Sequence, residues 1–221
     1  MDKNSKPPFK AVEPPVRLTQ TFAASLLALL LSLAAIFAAT HQGQAFTTET
    51  LRRSEVARAP QPIPDFEVHD SNGQKTTLHQ LLGADGRVWI VDFVYTRCQT
   101  VCLSLGSVYQ QLQQQLLARG LQDQVGLLSV SFDPANDDAA ALQAYAHRMQ
   151  MNPAVWRLVT LSQAQDRRGL LDAFGIMVVP APLGEFEHNA ALHIVDARGR
   201  LVRILGYDAL DRVLDWALLP T

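Results

Sequence analysis

Cysteine is scarce in this chain: two residues in 221, Cys98 and Cys102, separated by three others. Two thiols cannot staple a chain of this length, which excludes a small disulfide scaffold. Net charge is nearly absent too. Nineteen Lys and Arg against 21 Asp and Glu leave a formal charge of −2. No basic field draws the chain to a polyanion, so no nucleic-acid partner is expected. Charge is missing altogether from residues 22–39, FAASLLALLLSLAAIFAA, where the only hydroxyls are two serines.

As a helix that run rises about 27 Å, close to the thickness of a bilayer's hydrocarbon core. Lys3, Lys6, Lys10 and Arg17 precede it, against Asp2 and Glu13. The positive excess predicts a cytoplasmic segment over 1–21, a span over 22–39 and export of the rest. A cleaved signal peptide ending near Gly43-Gln44-Ala45 and a buried core helix are the competing readings. The long polar leader and the long apolar run favour an uncleaved single-pass anchor. The globular part is then expected on the periplasmic, extracytoplasmic side of the plasma (inner) membrane. In that oxidising compartment two thiols pair unless a reductant or a metal holds them.

Beyond the anchor, residues 40–60 mix polar residues with Ala-Pro, show no clean period and read as a tether. Short strands at 65–69 and 75–78 flank Asn72-Gly73, a hairpin signal. RVWIVDFVY (87–95) is a nearly continuous β-rich apolar run, as a central strand covered on both faces requires. Residues 101–120 set Leu105, Val108, Tyr109, Leu112 and Leu116 at helical spacing, with Gly120 ending the helix. Further strands are expected at 125–133 and 155–161, with a helix opening near Asp137 and Asp138 and another over 162–174. A hairpin around Ala197-Arg198-Gly199 and a last amphipathic helix over 208–219 close the chain. Parallel strands joined by helical crossovers and finished by an antiparallel hairpin predict an α/β fold. The specific expectation is a thioredoxin-like domain over 61–221 with an N-terminal hairpin extension, preceded by a single transmembrane helix.

Cys98 falls in the turn after the 87–95 strand and Cys102 in the first turn of the next helix. Were both helical, their Cα atoms would lie about 6 Å apart, within disulfide range. A helix N-terminus favours thiolate over thiol, and Arg97 either adds a nearby positive charge or points to solvent. A purely structural disulfide would close a loop of only a few residues and gain little from loop entropy. A redox pair and a metal site remain. Thiolates suit soft metals, and two sulfurs commonly need a further ligand. Of six histidines, His41 lies in the tether, His79 follows the early hairpin and His147 sits on a polar helix. His69 ends an early strand. His188 immediately precedes the strand that opens the terminal hairpin, a loop that faces the active-site helix in a thioredoxin-like fold. His193, five residues on, points to the other face of its strand and reads as a packed or edge histidine.

Three stretches, in order, carry a family resemblance. FVYTRCQTVC is similar to a strand followed by Thr-x-Cys-x-x-x-Cys, SVSFDPANDD to a Ser-x-Asp-Pro-x-x-Asp stretch, and EHNAALHIVDARGRLV to an Asp-His segment, strand and Asp-Gly turn. With the anchor, they make residues 60–220 resemble the Sco/SenC family, membrane-tethered thioredoxin-like copper proteins linked to cytochrome oxidase assembly. The resemblance implies Cys98 and Cys102 as thiolate ligands and His188 as the imidazole ligand of copper, held as Cu(I), with Cu(II) a second state. The implied recipient is the dinuclear copper site of cytochrome c oxidase subunit II or a similar copper-site protein. Asp133 is expected to shape the loop after its strand, and Asp137 to be an exposed acid at a helix start. This chain departs from many members at Gln99 and Leu103, where proline is usual, and at Glu187 and Asn189, beside the histidine. Losing the prolines should loosen the loop without removing a ligand.

A metallochaperone is thus the leading expectation. The alternative is an enzyme, a thiol–disulfide oxidoreductase acting on partner cysteines, in which Cys98 attacks and Cys102 resolves. A peroxidase using Cys98 is disfavoured, because no peroxidatic signature with separate Gln and Trp partners is present.

Overall fold

The structure is a computed structural model that describes residues 18–39, 48–98, 101–182 and 185–219; the side chains of residues 18, 39, 48, 101–105, 208 and 211 fall outside that description. Two compact units divide the chain, Met1–Leu51 and Arg52–Thr221. In the first, helix α1 (Leu18–Ala39) contains a stretch, Thr19–Ala38, long and apolar enough to cross a membrane. Its large side chains, Phe22, Leu27 and Leu31 among them, stay exposed. A helix apolar all round needs either a protein core or lipid around it.

The second unit is built on one sheet. Strand β4 (Val88–Val94) lies parallel to β5 (Val125–Ser131), which lies parallel to β6 (Trp156–Leu161). On its other side β4 pairs antiparallel with β9 (Leu192–Val195), and β9 with β10 (Arg200–Leu205). The β9–β10 turn contains Gly199 at φ 72°, a left-handed conformation that glycine adopts without a Cβ penalty. The short β1 (Gln61–Pro62) edges β10. A hairpin of β2 (Glu67–Asp70) and β3 (Lys75–Thr77) adds to β6 at the opposite edge. The order is β1-β10-β9-β4-β5-β6-β2-β3.

Alternation along β4 sorts side chains to two cores. Trp89, Val91 and Phe93 join Leu128, Val130 and Phe132 under α2 (Thr48–Arg58), α3 (Leu78–Gly83) and α6 (Arg167–Phe174). Ile90 and Val94 join Leu127 under α4 (Val101–Arg119), α5 (Ala139–Arg148) and α7 (Leu210–Ala217). This is the expected α/β arrangement with the hairpin extension in place. Two differences stand out. The tether expected over 40–60 is helical from Thr48 to Arg58, and Val56 on that helix is wholly buried. A second, two-stranded sheet joins β7 (Val178–Pro180) to β8 (Phe186–His188). Its prolines and short strands hide the strand signal, because proline is tolerated only at strand edges and ends.

Candidate metal centre

The site lies beyond the carboxyl ends of β4 and β5, where α/β sheets commonly open to a ligand. The chain leaves β4 through Tyr95, Thr96 and Arg97 and reaches Cys98, whose N–H donates to the Tyr95 carbonyl at 3.3 Å. Cys98 is buried, 4% exposed, within the core under α6. The α4 helix begins at Val101, so the Cys102 backbone stands in its first turn; the Cys102 side chain lies outside the described residues. The N–H groups and positive dipole end of such a turn stabilise a thiolate.

His188 ends β8 opposite Val178. Its Nδ1 lies 3.1 Å from the Asn189 carbonyl oxygen. A carbonyl only accepts, so Nδ1 carries the proton and the lone pair falls on Nε2. Nε2 is buried and has no hydrogen-bond partner among the described residues. Burial pushes the His188 pKa below 6.5, outweighing the Asn189 contact, which raises it. The ring is therefore held neutral, in one tautomer, with an unsatisfied lone pair. That is the form in which imidazole ligates a metal, its other nitrogen anchored to a carbonyl.

Rings join this strand to the cysteine loop. The Tyr95 hydroxyl donates to the Phe186 carbonyl at 3.2 Å, and the Phe186 N–H donates to the Tyr95 Oη at 3.2 Å. Phe132, just past β5, lies 5.5 Å from the Tyr95 ring, 5.7 Å from the Phe186 ring and 5.3 Å from the His188 ring, centroid to centroid. Edge-to-face packing of this kind favours fixed geometry over mere contact. The Arg167 guanidinium covers the outside, 4.6 Å from the Phe186 centroid. Beyond the histidine, Asn189 Oδ1 accepts from the Met177 N–H at 2.7 Å, and Nδ2 donates to the Gly175 carbonyl at 3.0 Å.

Cys98 lies in the same buried core as Tyr95 and Phe132, and the His188 ring packs on Phe132. Among the described residues no group of three His, Cys, Asp or Glu side chains is placed to hold a metal ion. The other histidines lie elsewhere. His147 is exposed on α5, His69 stands on β2 beyond β6, and exposed His79 turns Nε2 to the Ile63 carbonyl. His193 is fully buried between the Val91 and Phe174 carbonyls, and burial pushes its pKa down to about 3. It is a packed histidine, as its strand position predicts. His41 lies outside the described residues.

Two charged residues behave differently from expectation. Arg97 is engaged by Asp133, Nη2 to Oδ2 at 3.1 Å, so its charge is shared with that carboxylate. Asp137, expected as an exposed helix-start acid, has no solvent exposure at all. The capping role belongs to Asp138, which accepts from the Ala141 N–H. The aromatic cluster itself went unread in the sequence, although Phe186 and His188 alternate in one short stretch and Tyr95 stands three residues before Cys98.

The SCO1/SenC family model matches residues 55–214. The chain belongs to the SCO1/SenC family. It is 27% identical over 144 residues to the SCO1 protein homolog of Bacillus subtilis, covering 64% of this chain and 72% of that protein. Among solved structures it is similar to BsSco, described as a member of the Sco family of cytochrome c oxidase assembly proteins with a disulfide switch. There the TM-score is 0.60 at 23% identity, over 73% of this chain and 96% of that one. It is also similar to yeast Sco1 with copper bound, TM-score 0.60 at 18% identity, over 73% of this chain and 91% of that one. These likenesses establish the thioredoxin-like fold of Sco proteins for the SCO1/SenC domain.

Proposed function

We propose that this SCO1/SenC protein binds copper through the thiolates of Cys98 and Cys102 and Nε2 of His188, and helps metallate the copper site of cytochrome c oxidase. The observation that carries the reading is the buried, unpaired Nε2 of His188, whose ring packs on Phe132 of the same core that buries Cys98. A buried polar atom without a partner is costly and rarely kept without a use. A soft cation fits the donor set, since thiolates and imidazole suit Cu(I). Deprotonated sulfur and neutral imidazole are both required, so binding weakens in acid. Disulfide formation between Cys98 and Cys102 removes both thiolates, which ties metal loading to redox state. Helix α1 supports a membrane-anchored protein, and the positive excess that precedes it in the sequence favours a periplasmic copper domain.

The Cys-x-x-x-Cys spacing at a helix start also favours a second reading, a thiol–disulfide oxidoreductase that needs no histidine. Cu(I) affinity of the reduced full-length chain in detergent, set against a competing chelator, separates the two. One equivalent should bind tightly, and His188→Ala should weaken it at least about tenfold, ~1.4 kcal/mol. Cys98→Ser and Cys102→Ser should each abolish tight binding. Weak binding indifferent to His188 would sink the copper reading and leave the reductase.

A further inference from the structure

The two residues before Cys98 are gripped by the connection between β5 and α5. Thr96 commits every polar group it has. Its N–H donates to Asp137 Oδ2 at 3.0 Å and its hydroxyl to Asp137 Oδ1 at 2.6 Å, while its carbonyl accepts from Arg148 Nη2 at 2.9 Å. The Ser131 hydroxyl donates to Asp137 Oδ2 as well. Arg97, next in the chain, pairs with Asp133, which Asn136 Nδ2 holds at 3.0 and 2.9 Å. The Asp137 N–H donates in turn to the Asp133 carbonyl at 2.9 Å.

A buried carboxylate is tolerated only when its oxygens are filled, and its burial always costs something. Helix capping does not explain Asp137, because Asp138 already caps α5. Sheet registry does not explain it either, since β5 and β6 pair along their lengths by backbone alone. What its oxygens hold is the turn that delivers a cysteine.

We infer that Asp137 is a positioning residue: by fixing the N–H and hydroxyl of Thr96, it sets where the Cys98 thiol stands, with the Asp133–Arg97 pair as a second hold. The inference rests on the reading of Cys98 as a reactive ligand thiolate, and it deepens that reading by naming what orients the sulfur. Small displacements of a reacting group carry large penalties, so a hold at Thr96 is felt at Cys98.

The test uses the full-length chain in detergent and two readouts. Alkylation of Cys98 by iodoacetamide is followed in a Cys102→Ser background, where it is the sole thiol. Cu(I) affinity is measured with both cysteines present. Asp137→Asn sets an amide N–H2 against incoming donors. Thr96→Val removes the hydroxyl at similar volume, and Thr96→Ser keeps it. Asp137→Asn and Thr96→Val should each speed alkylation of the buried thiol about tenfold and weaken Cu(I) binding about tenfold, with Thr96→Ser close to the parent. Thr96→Val leaves a buried Asp137 oxygen short of a donor and should melt below Thr96→Ser. Alkylation and Cu(I) binding are therefore read well below both melting temperatures, where the contrast reports position and not fold loss. Should Asp137→Asn fail to fold, the Val and Ser variants at Thr96 decide alone. Parental alkylation rates in both Asp137→Asn and Thr96→Val, or equal acceleration in Thr96→Ser and Thr96→Val, would overturn the inference. If alkylation responds as expected while the parent chain holds no copper, the positioning role stands and only the copper reading falls.

Discussion

Asp92 offers a quantitative test of the core. It sits in the middle of β4 with 1% exposure, beneath α4, and its Oδ1 has no hydrogen-bond partner among the described residues. Burial pushes its pKa from 3.8 up to about 7, against the smaller opposing effects of Ser129 and Tyr109. The sign of the linkage follows. Below 3.8 the carboxyl is protonated in both folded and unfolded chains and contributes nothing to the pH dependence. From there up to about 7 the unfolded chain releases a proton that the folded one keeps, so stability falls as pH rises. A rise of about three pH units in the folded pKa is worth about 4 kcal/mol. Asp92→Asn cannot ionise, so its stability minus that of the parent should climb by about 4 kcal/mol between pH ~4 and pH ~8 and then level off. Every other titrating group cancels in that difference. Chemical denaturation of the full-length chain in detergent, followed by the fluorescence of Trp89 and Trp156, both buried near β4, gives the two curves. Parallel curves would refute the reasoning, since they would mean that Asp92 titrates alike folded and unfolded. A difference that shrinks with rising pH would mean that the fold stabilises the carboxylate.

Three further outcomes follow from particular contacts. Val56→Ala should cost about 2 kcal/mol of unfolding free energy, because the side chain is wholly buried on α2; a denaturant midpoint unchanged from the parent would return residues 48–58 to the role of a loose tether. Asn189→Ala leaves the Met177 N–H and the Gly175 carbonyl without their side-chain partner. A loss of about 1–3 kcal/mol is expected, and thermal unfolding at the parental temperature would show that the amide holds nothing. The His188 ring should titrate below pH 6.5, since burial disfavours its cation. Nitrogen-15 shifts of the imidazole read this directly, and a titration midpoint at or above 6.5 would contradict the buried placement.

The parallel strands and their helices were legible because their signals are local. RVWIVDFVY reads as a doubly covered strand, and Gly120, Gly175 and Gly199 stand in left-handed conformations at helix ends and a turn. Cys98 was legible for a similar reason: a strand end, a turn and a helix start lie within a dozen residues of one another. What the sequence hid depends on partners far along the chain. Helix α2 has no clean apolar period: among its described side chains Val56 alone is wholly buried. Asp137 looks like any acid at a helix start, and nothing local reveals that Thr96, 41 residues earlier, takes up both its oxygens. Two adjacent aspartates, Asp137 and Asp138, divide into a loop clamp and a helix cap according to which one the sheet buries.

Glu187 and Asn189 flank the histidine. Glu187 faces solvent opposite Val179, so an acid at this position adds no buried contact to the imidazole. Asn189 is another matter. Its amide accepts from one backbone group and donates to another across the turn that follows α6, where Gly175 stands at φ 62°. A hydroxyl on a shorter stem has one hydrogen and cannot span both groups in the same way. The carbonyl of this same asparagine receives the Nδ1 proton of His188. One residue therefore fixes the strand end and selects the ring tautomer, while Phe132, itself packed on Phe186, meets the imidazole edge to face. An amide here ties the strand end that carries the histidine to two backbone groups, whereas Gln99 and the Leu103 side chain lie outside the described residues. The imidazole is fixed by Asn189 and Phe132, and the turn before Cys98 by Asp137 through Thr96.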